Sequence, residues 1–480
     1  MFKESALQLS AAIKGKEIGV CEAVSAYIDL IEEKDRGLNA FITVAKENAL
    51  KRAHEIQSRI DNGETLSPLA GVPIALKDNI STIGIETTCA SKMHKDHQGL
   101  SGYMPVFNAT VVDRLEKAGM IVIGKLNMDE FAMGGCTGIF GAARNPLDVS
   151  FAAGDGSAAA VAAGEAPLSL GSDTGGGIRR SCSLCGVTGI KPTYGAVSRH
   201  GLAACGSSLD QIGPVGKNID DCAALLSIIS GADNTDGTCV LEKPFEFDKA
   251  GVQRLDGVRI GLPSNYFEGD IDGDVKLAVL STVKEFEAAG AVIKEFEMPL
   301  MDYIIPVWYI IVCAEASSNL ARYDGLKFGF RSADAKSLSE VYRLSRSEGF
   351  GLEVKKRIMF GSFALSSGCY DIYFKKAMQV RTLIRDAYNN LFRQFDMILS
   401  PVMPAVSLND DLNDPVKKIY TRNIFTASVN LAGLPAAALP CGFGKQGLPV
   451  GFQLIGKAFS EAELINAARV YQNRVKSRPL

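Results

Sequence analysis

The sequence lacks an excess of charge of either sign. Its 51 Lys and Arg stand against 54 Asp and Glu, a formal net charge of −3, and no basic block exceeds a few residues. The electrostatic footprint of a duplex nucleic-acid binder is therefore missing. Long hydrophobic runs are lacking too. The best candidate, Tyr303 to Ala314, is interrupted by Pro306 and falls short of the roughly 20 apolar residues that span a bilayer, so it reads as core and no membrane partner is expected. Met1-Phe2-Lys3-Glu4-Ser5 has no apolar signal region and the C-terminus no anchor pattern, so the expected location is cytoplasmic. The eleven cysteines are odd in number and scattered, which excludes a disulfide scaffold and predicts reduced thiols packed as small hydrophobes.

What remains is an ordinary globular composition, 47% hydrophobic and 22% charged over 480 residues, long enough for one large core or two to three domains. Helical spacing recurs at Cys21, Val24, Ile28 and Ile31, and again at Ala49, Ala53, Ile56 and Ile60. This predicts a helical N-terminal segment, residues 1–65, packed on the rest. From Gly71 the pattern turns to short apolar strands and Gly-rich turns: a strand at Val72 to Leu76, a helix at Ala109 to Ala118 ending at Gly119, then a strand at Met120 to Ile123. The same order returns at Val258 to Gly261, Val275 to Ala289 and Ala291 to Ile293. It returns once more at Tyr373 to Phe392 and Met397 to Leu399, before a terminal helix opened by Ser460 and Glu463. Alternating helix and strand predicts one large α/β domain over residues 66–480. The polar stretches Gly237 to Asp256 and Leu408 to Lys417 are surface-loop candidates.

Residues 71–213 form the chemically suggestive core, dense in Gly, Ala, Ser and Thr. Gly171-Ser172-Asp173-Thr174-Gly175-Gly176-Gly177-Ile178-Arg179 is either a close-packed turn or a nest of backbone N–H groups aimed at an anion. His94-x-x-His97 lies among Lys92, Lys95 and Asp96 and reads as a solvated loop. Cys182-x-x-Cys185 has no second Cys or His pair at ligand spacing, so neither a metal nor a cofactor is expected.

Five runs carry a resemblance: Gly71 to Asn79, Gly124 to Gly134, Ala158 to Pro167, Gly171 to Arg179 and Gly186 to Gly195. Together they resemble the amidase signature family over nearly the whole chain. Ala314 to Gly325 and Asn430 to Pro435 are similar to the branch of that family formed by the A subunits of bacterial tRNA-dependent amidotransferases. The resemblance implies a mixed sheet of about eleven strands with helices on both faces, partners of the B and C subunit types, and a small amide or amino acid as ligand.

It also implies an amidase apparatus: a serine nucleophile, a relay serine, a lysine base and an oxyanion-binding turn. Carried over position by position, the lysine is Lys77 and the turn is Thr174, Gly175, Gly176 and Gly177. The nucleophile position is Gly177 and the relay position Ala153, so neither serine is present. The family's Arg-x-Pro reads Arg179-Arg180-Ser181, and the acidic residue set against a substrate ammonium is Asn423. Arg357 and Tyr309 fall at substrate-binding positions. These coordinated departures predict a pseudo-amidase with a scaffold, regulatory or ligand-binding role. The alternative is a rewired amidase or amidotransferase with Cys182 as surrogate nucleophile; Cys182 and Cys185 are otherwise buried small residues on one helix face. Asp155, which stands in the former relay loop, either pairs with Lys77 or faces solvent.

Overall fold

A computed structural model describes residues 4–64, 66–95, 102–134, 138–240, 242–246, 254–327, 329–408 and 422–476. The chain opens with α1 (Ala6–Lys14) and α2 (Val20–Leu38), then β1 (Phe41–Val44), α3 (Lys46–Asp61), β2 (Pro73–Lys77), α4 (Thr110–Lys117) and β3 (Ile121–Leu126). A hairpin of β4 (Arg144–Asn145) and β5 (Asp148–Ala152) leads into α5 (Gly156–Ala162), β6 (Leu168–Asp173), α6 (Gly177–Cys185), β7 (Thr188–Lys191), β8 (Gln211–Gly216) and α7 (Ile219–Ile229). After them come β9 (Arg259–Pro263), α8 (Gly273–Ala288), β10 (Val292–Phe296), α9 (Met301–Asn319), α10 (Leu338–Gly349), α11 (Leu352–Leu365) and α12 (Phe374–Leu391). The last elements are β11 (Met397–Pro401), α13 (Ala427–Ala432), β12 (Ala436–Phe443), β13 (Pro449–Gly456) and α14 (Glu461–Lys476).

Eleven strands form one mixed sheet in the order β1-β3-β2-β6-β8-β7-β12-β13-β11-β9-β10, flanked by helices. Parallel pairing joins β3 to β2 and β2 to β6, and β11 to β9 and β9 to β10; the strands between are antiparallel. The continuous apolar run of β2 is buried along its whole length, as a strand covered on both faces requires. The predicted helix and strand at Ala109 to Ile123 appear as α4 and β3, and those at Val258 to Ile293 as β9, α8 and β10.

The N-terminal segment holds more than helices. Val24, Ile28, Ile31, Ala49, Ala53 and Ile56 are buried as their spacing predicts. Between these helices, however, β1 pairs antiparallel with β3 and forms the sheet's edge. Four residues between two strong helices carry no periodicity to reveal them. Their place is made by Gly124 of β3, where a Cβ would come within 2.9 Å of the Phe41 ring and meet the Thr43 carbonyl.

One sequence reading, the core placement of the Tyr303 stretch, holds in a longer helix, and another is corrected. The apolar stretch at Tyr303 continues as a helix from Met301 to Arg322, long and apolar enough to cross a membrane by length and composition alone. Pro306 lies near its start, and the helix packs instead against α11 and α12 with Trp308 and Ile311 buried. His94 is not a solvated loop residue. It is 8% exposed, its Nδ1 lies 2.9 Å from the Thr87 carbonyl and its Nε2 2.8 Å from the Tyr323 hydroxyl, and Phe131 and Tyr103 pack edge-on against its ring. Polar neighbours in sequence did not foretell aromatic neighbours in space. Asp96, His97 and most of the stretch Leu408 to Lys417 lie outside the described residues. The ten described cysteines form no disulfide.

Burial pushes the His94 imidazole down to about 4. The folded state therefore holds it neutral while the unfolded chain takes up a proton below its ordinary value of 6.5. This contribution to stability is present above pH 6.5 and is lost as pH falls towards 4, at about 1.4 kcal/mol per unit or about 3 kcal/mol in all. Urea unfolding of His94→Gln across pH 7 to 4 is expected to show a shallower acid-side loss than the wild type by about that amount.

Candidate functional site

Three neighbouring parallel strands, β3, β2 and β6, point their C-terminal ends to one edge of the sheet, the place where open α/β sheets bind ligands. The end of β2 delivers Lys77, the end of β6 delivers Asp173 and the turn Thr174-Gly175-Gly176, and the chain beyond β3 delivers Asp129. Arg357 from α11, Trp308 from α9, and Arg422 and Asn423 ahead of α13 close the far side. The result is a polar cavity of about 120 Å³.

The turn after β6 is held by a buried ion pair. Arg179, fully buried on α6, donates from Nε to Asp173 Oδ2 at 3.1 Å and from Nη2 to Asp173 Oδ1 at 3.0 Å. Asn430 Nδ2 donates to the same carboxylate at 3.0 Å. Burial opposes the Asp173 charge, yet Arg179 and Lys191 hold the carboxyl well below its usual range. The Gly175 carbonyl accepts from Thr426 Oγ1 at 2.6 Å, the Thr174 carbonyl from Trp308 Nε1 at 3.0 Å, and Thr174 Oγ1 donates to Asp210 at 2.6 Å. A Cβ on Gly175 would come within 2.6 Å of the Trp308 ring, and Thr426 leaves no room for one on Gly176, whose φ is +129°. Close packing and nest are thus both true of this turn.

As a donor set the turn is smaller than the sequence implies. Gly176 N–H is directed at Asp173 Oδ1 at 2.7 Å and is not offered to a ligand. The N–H groups of Gly175 and Gly177 have no acceptor among the described residues. They are the donors that can receive an anion.

Lys77 and Asp155 form an ion pair, with side chains only 4% and 6% exposed. Asp155 is also the N-cap of α5: its Oδ1 accepts from Ser157 N at 2.9 Å and from Ser157 Oγ at 2.7 Å, while Oδ2 takes Lys77. The solvent-facing alternative for Asp155 is excluded. A Cβ on Gly177 would lie 3.9 Å from Lys77 Nζ, so position 177 adjoins the lysine, but it would also lie 2.5 Å from the Ser172 carbonyl. Ala153, the relay position that the resemblance implies, is fully buried. The Ser181 hydroxyl turns back along α6 to the Gly177 carbonyl at 2.8 Å.

Cys182 is not brought to the cavity. It is fully buried, and a Cβ on Gly189 of β7 would come within 2.5 Å of its sulfur, so the thiol faces the sheet. Burial pushes it well above the ordinary thiol range, which removes the thiolate that attack requires. Helical phase decides this: five residues after Gly177, position 182 lies on the core side of α6. The thiol that does line the cavity is Cys205, itself raised by burial.

Arg357 and Asn423 both line the cavity. Arg357 Nε donates to Glu353 Oε1 at 3.0 Å, and its guanidinium lies 5.7 Å from the Tyr309 ring centroid. Tyr309 therefore buttresses Arg357 and is not itself part of the lining. Asn423 Oδ1 accepts from Arg180 Nη1 at 2.7 Å. Burial, then the field of Arg422, lowers the Arg180 guanidinium to about 10. Sequence reasoning missed Asp129, Arg180 as a ligand-facing group, Arg422, Glu353 and Trp308. Asp129 follows directly on a strand end within a recognisable run, the one signal that was available; the others meet the site only through the tertiary fold. Among the described residues no group of His, Cys, Asp and Glu is placed to hold a metal ion.

Comparison with known proteins agrees with this architecture. The family model described as Amidase matches residues 22–465. The A subunit of the glutamyl-tRNA(Gln) amidotransferase of Agathobacter rectalis is 50% identical over 475 residues, covering 98% of this chain and 93% of the relative. That of Lachnoclostridium phytofermentans is 49% identical, covering 99% and 98%. In crystal form, the A subunit of the Thermotoga maritima glutamyl-tRNA(Gln) amidotransferase superposes with a TM-score of 0.80 at 37% identity, covering 100% of this chain and 95% of that one. Peptide amidase from Stenotrophomonas maltophilia superposes at 0.82 with 28% identity, covering 99% and 98%. With a sheet of this order, a lysine and a glycine turn at adjoining strand ends, and a match over nearly its full length, the chain belongs to the amidase signature family.

Proposed function

We propose that this protein is a non-hydrolysing member of its family, a cytoplasmic pseudo-amidase that acts as a scaffold, regulator or ligand-binding component. The observation that carries the reading is the Lys77–Asp155 ion pair beside a glycine at the nucleophile position. Amide cleavage by this apparatus needs a hydroxyl to attack and a neutral amine to take its proton. Gly177 supplies no hydroxyl, Ala153 cannot pass a proton on, and in an ion pair the lysine's nitrogen has no lone pair to offer. Loss of the nucleophile alone lowers turnover on the order of a millionfold in the best-studied serine hydrolase. The similarity to the A-type proteins of tRNA-dependent amidotransferases along the whole chain supports retained surfaces for B-type and C-type partners.

Purified protein, alone and with such partners, is expected to release no ammonia from glutamine, asparagine or simple amides; turnover above the no-enzyme rate overturns the reading. Gly177→Ser alone is expected to remain inactive, because Ala153 passes no proton on and Lys77 stays paired with Asp155. Ammonia release should first appear when Gly177→Ser is combined with Ala153→Ser and Asp155→Gly.

The pair also makes a stability prediction. Asp155→Ala leaves a buried ammonium without its partner and removes the α5 cap, and urea unfolding should show a loss of about 3 to 5 kcal/mol. Adding Lys77→Met should restore most of it, the signature of a structural ion pair.

A further inference from the structure

The cavity's charges and its unpaired donors define the chemistry of what it holds. Among the described residues four cationic side chains line it, Lys77, Arg180, Arg357 and Arg422, against three carboxylates, Asp129, Asp155 and Glu353. Each carboxylate already faces positive charge. Asp155 pairs with Lys77 and Glu353 with Arg357, and Asp129, raised by burial, sits in the opposing fields of Arg180, Lys77 and Arg422. Among the described lining residues no carboxylate is left without a cationic partner to receive a ligand's ammonium group. Beside Asn423 an ammonium would meet the Arg180 guanidinium, which holds the Asn423 Oδ1 at 2.7 Å.

The donors tell the complementary story. Arg357 is 5% exposed and engages Glu353 only through Nε, so its two terminal nitrogens have no acceptor among the described residues. Arg180 uses only Nη1, towards Asn423 and the Arg422 carbonyl. Across the turn, the Gly175 and Gly177 N–H groups are likewise unmatched. These donors face the cavity, and guanidinium forks suit carboxylates above other acceptors. A volume of about 120 Å³, at about 10 to 15 Å³ for each enclosed water on that measure, admits a molecule of roughly ten heavy atoms or fewer.

We propose that the cavity binds a small carboxylate that carries no ammonium group, one end seated on the terminal nitrogens of Arg357 and a second oxygen-bearing end between Arg180 and the Gly175 and Gly177 amides. This rests on the reading that the site holds its ligand without cleaving it. The ligand class differs from an α-amino acid by the one group the pocket cannot match.

Isothermal titration of the full chain with three probes of one skeleton tests it: L-glutamine, glutaramate (glutamine without its ammonium) and glutarate, with ammonia assayed in every cell. Glutaramate or glutarate is expected to bind at least about tenfold more tightly than glutamine, a difference of about 1.4 kcal/mol. Arg180→Gln should erase that preference, and Asn423→Asp, which adds a carboxylate beside the cavity, should shift it towards glutamine. Thermal unfolding checks that each variant is folded, and the wild-type ranking stands on its own if one is not. Glutamine binding as tightly as the unaminated probes, or no binding of any probe at millimolar concentration, overturns the proposal. Ammonia released from glutamine instead overturns the non-hydrolysing reading, whatever the ranking.

Discussion

The buried pair of Asp173 and Arg179 is the interaction on which the site's architecture depends. Arg179 reaches Asp173 at the end of β6, the Thr426 carbonyl and Asn430 of the α13 segment, and Gln453 of β13, so one guanidinium ties the end of β6 to two segments distant in sequence. Burying a guanidinium is costly unless its donors are met, and here the acceptors are supplied by strand ends and loops that must be in place together. The glycine turn takes its shape from this arrangement, with Gly176 N–H directed inward and Trp308 and Thr426 packed on its outer side. A second buried pair, Lys125 with Asp78 at 3.4 Å, stands at the neighbouring ends of β3 and β2.

On this frame the proposed function turns on a few small residues. Glycine stands at position 177 beside Lys77, and alanine at position 153 is fully buried. Aspartate at position 155 caps α5 and takes Lys77 in the same stroke, so an amine at the end of β2 becomes half of an ion pair. Arg180 and Asn423 then form a donor and acceptor couple at the cavity wall. The frame is that of an amidase, and the charge pattern inside it suits retention of an anion.

Much of this was legible in the chain. Helix and strand alternation from Gly71 onward and the buried faces of α2 and α3 follow from periodicity; that Lys77, Gly177 and Arg357 would meet in one cavity was implied only by the recognisable runs. Strand β1 was hidden because four residues show no period. His94 was misread because its neighbours in sequence are polar while its neighbours in space are Phe131 and Tyr323. Cys182 was offered as a nucleophile because it lies close along the chain, whereas helical phase turns it towards β7.

The sequence by itself determined the α/β class and the family, since these rest on residue identity and local spacing. Only the tertiary structure decided which way Asp155 points, that Gly176 N–H is engaged, and that Arg180, Arg357 and Arg422 converge on one cavity. Those outcomes depend on strands and helices separated by up to about 250 residues meeting at one sheet edge. Charge compensation and hydrogen-bond direction are properties of that meeting, and no local pattern encodes them.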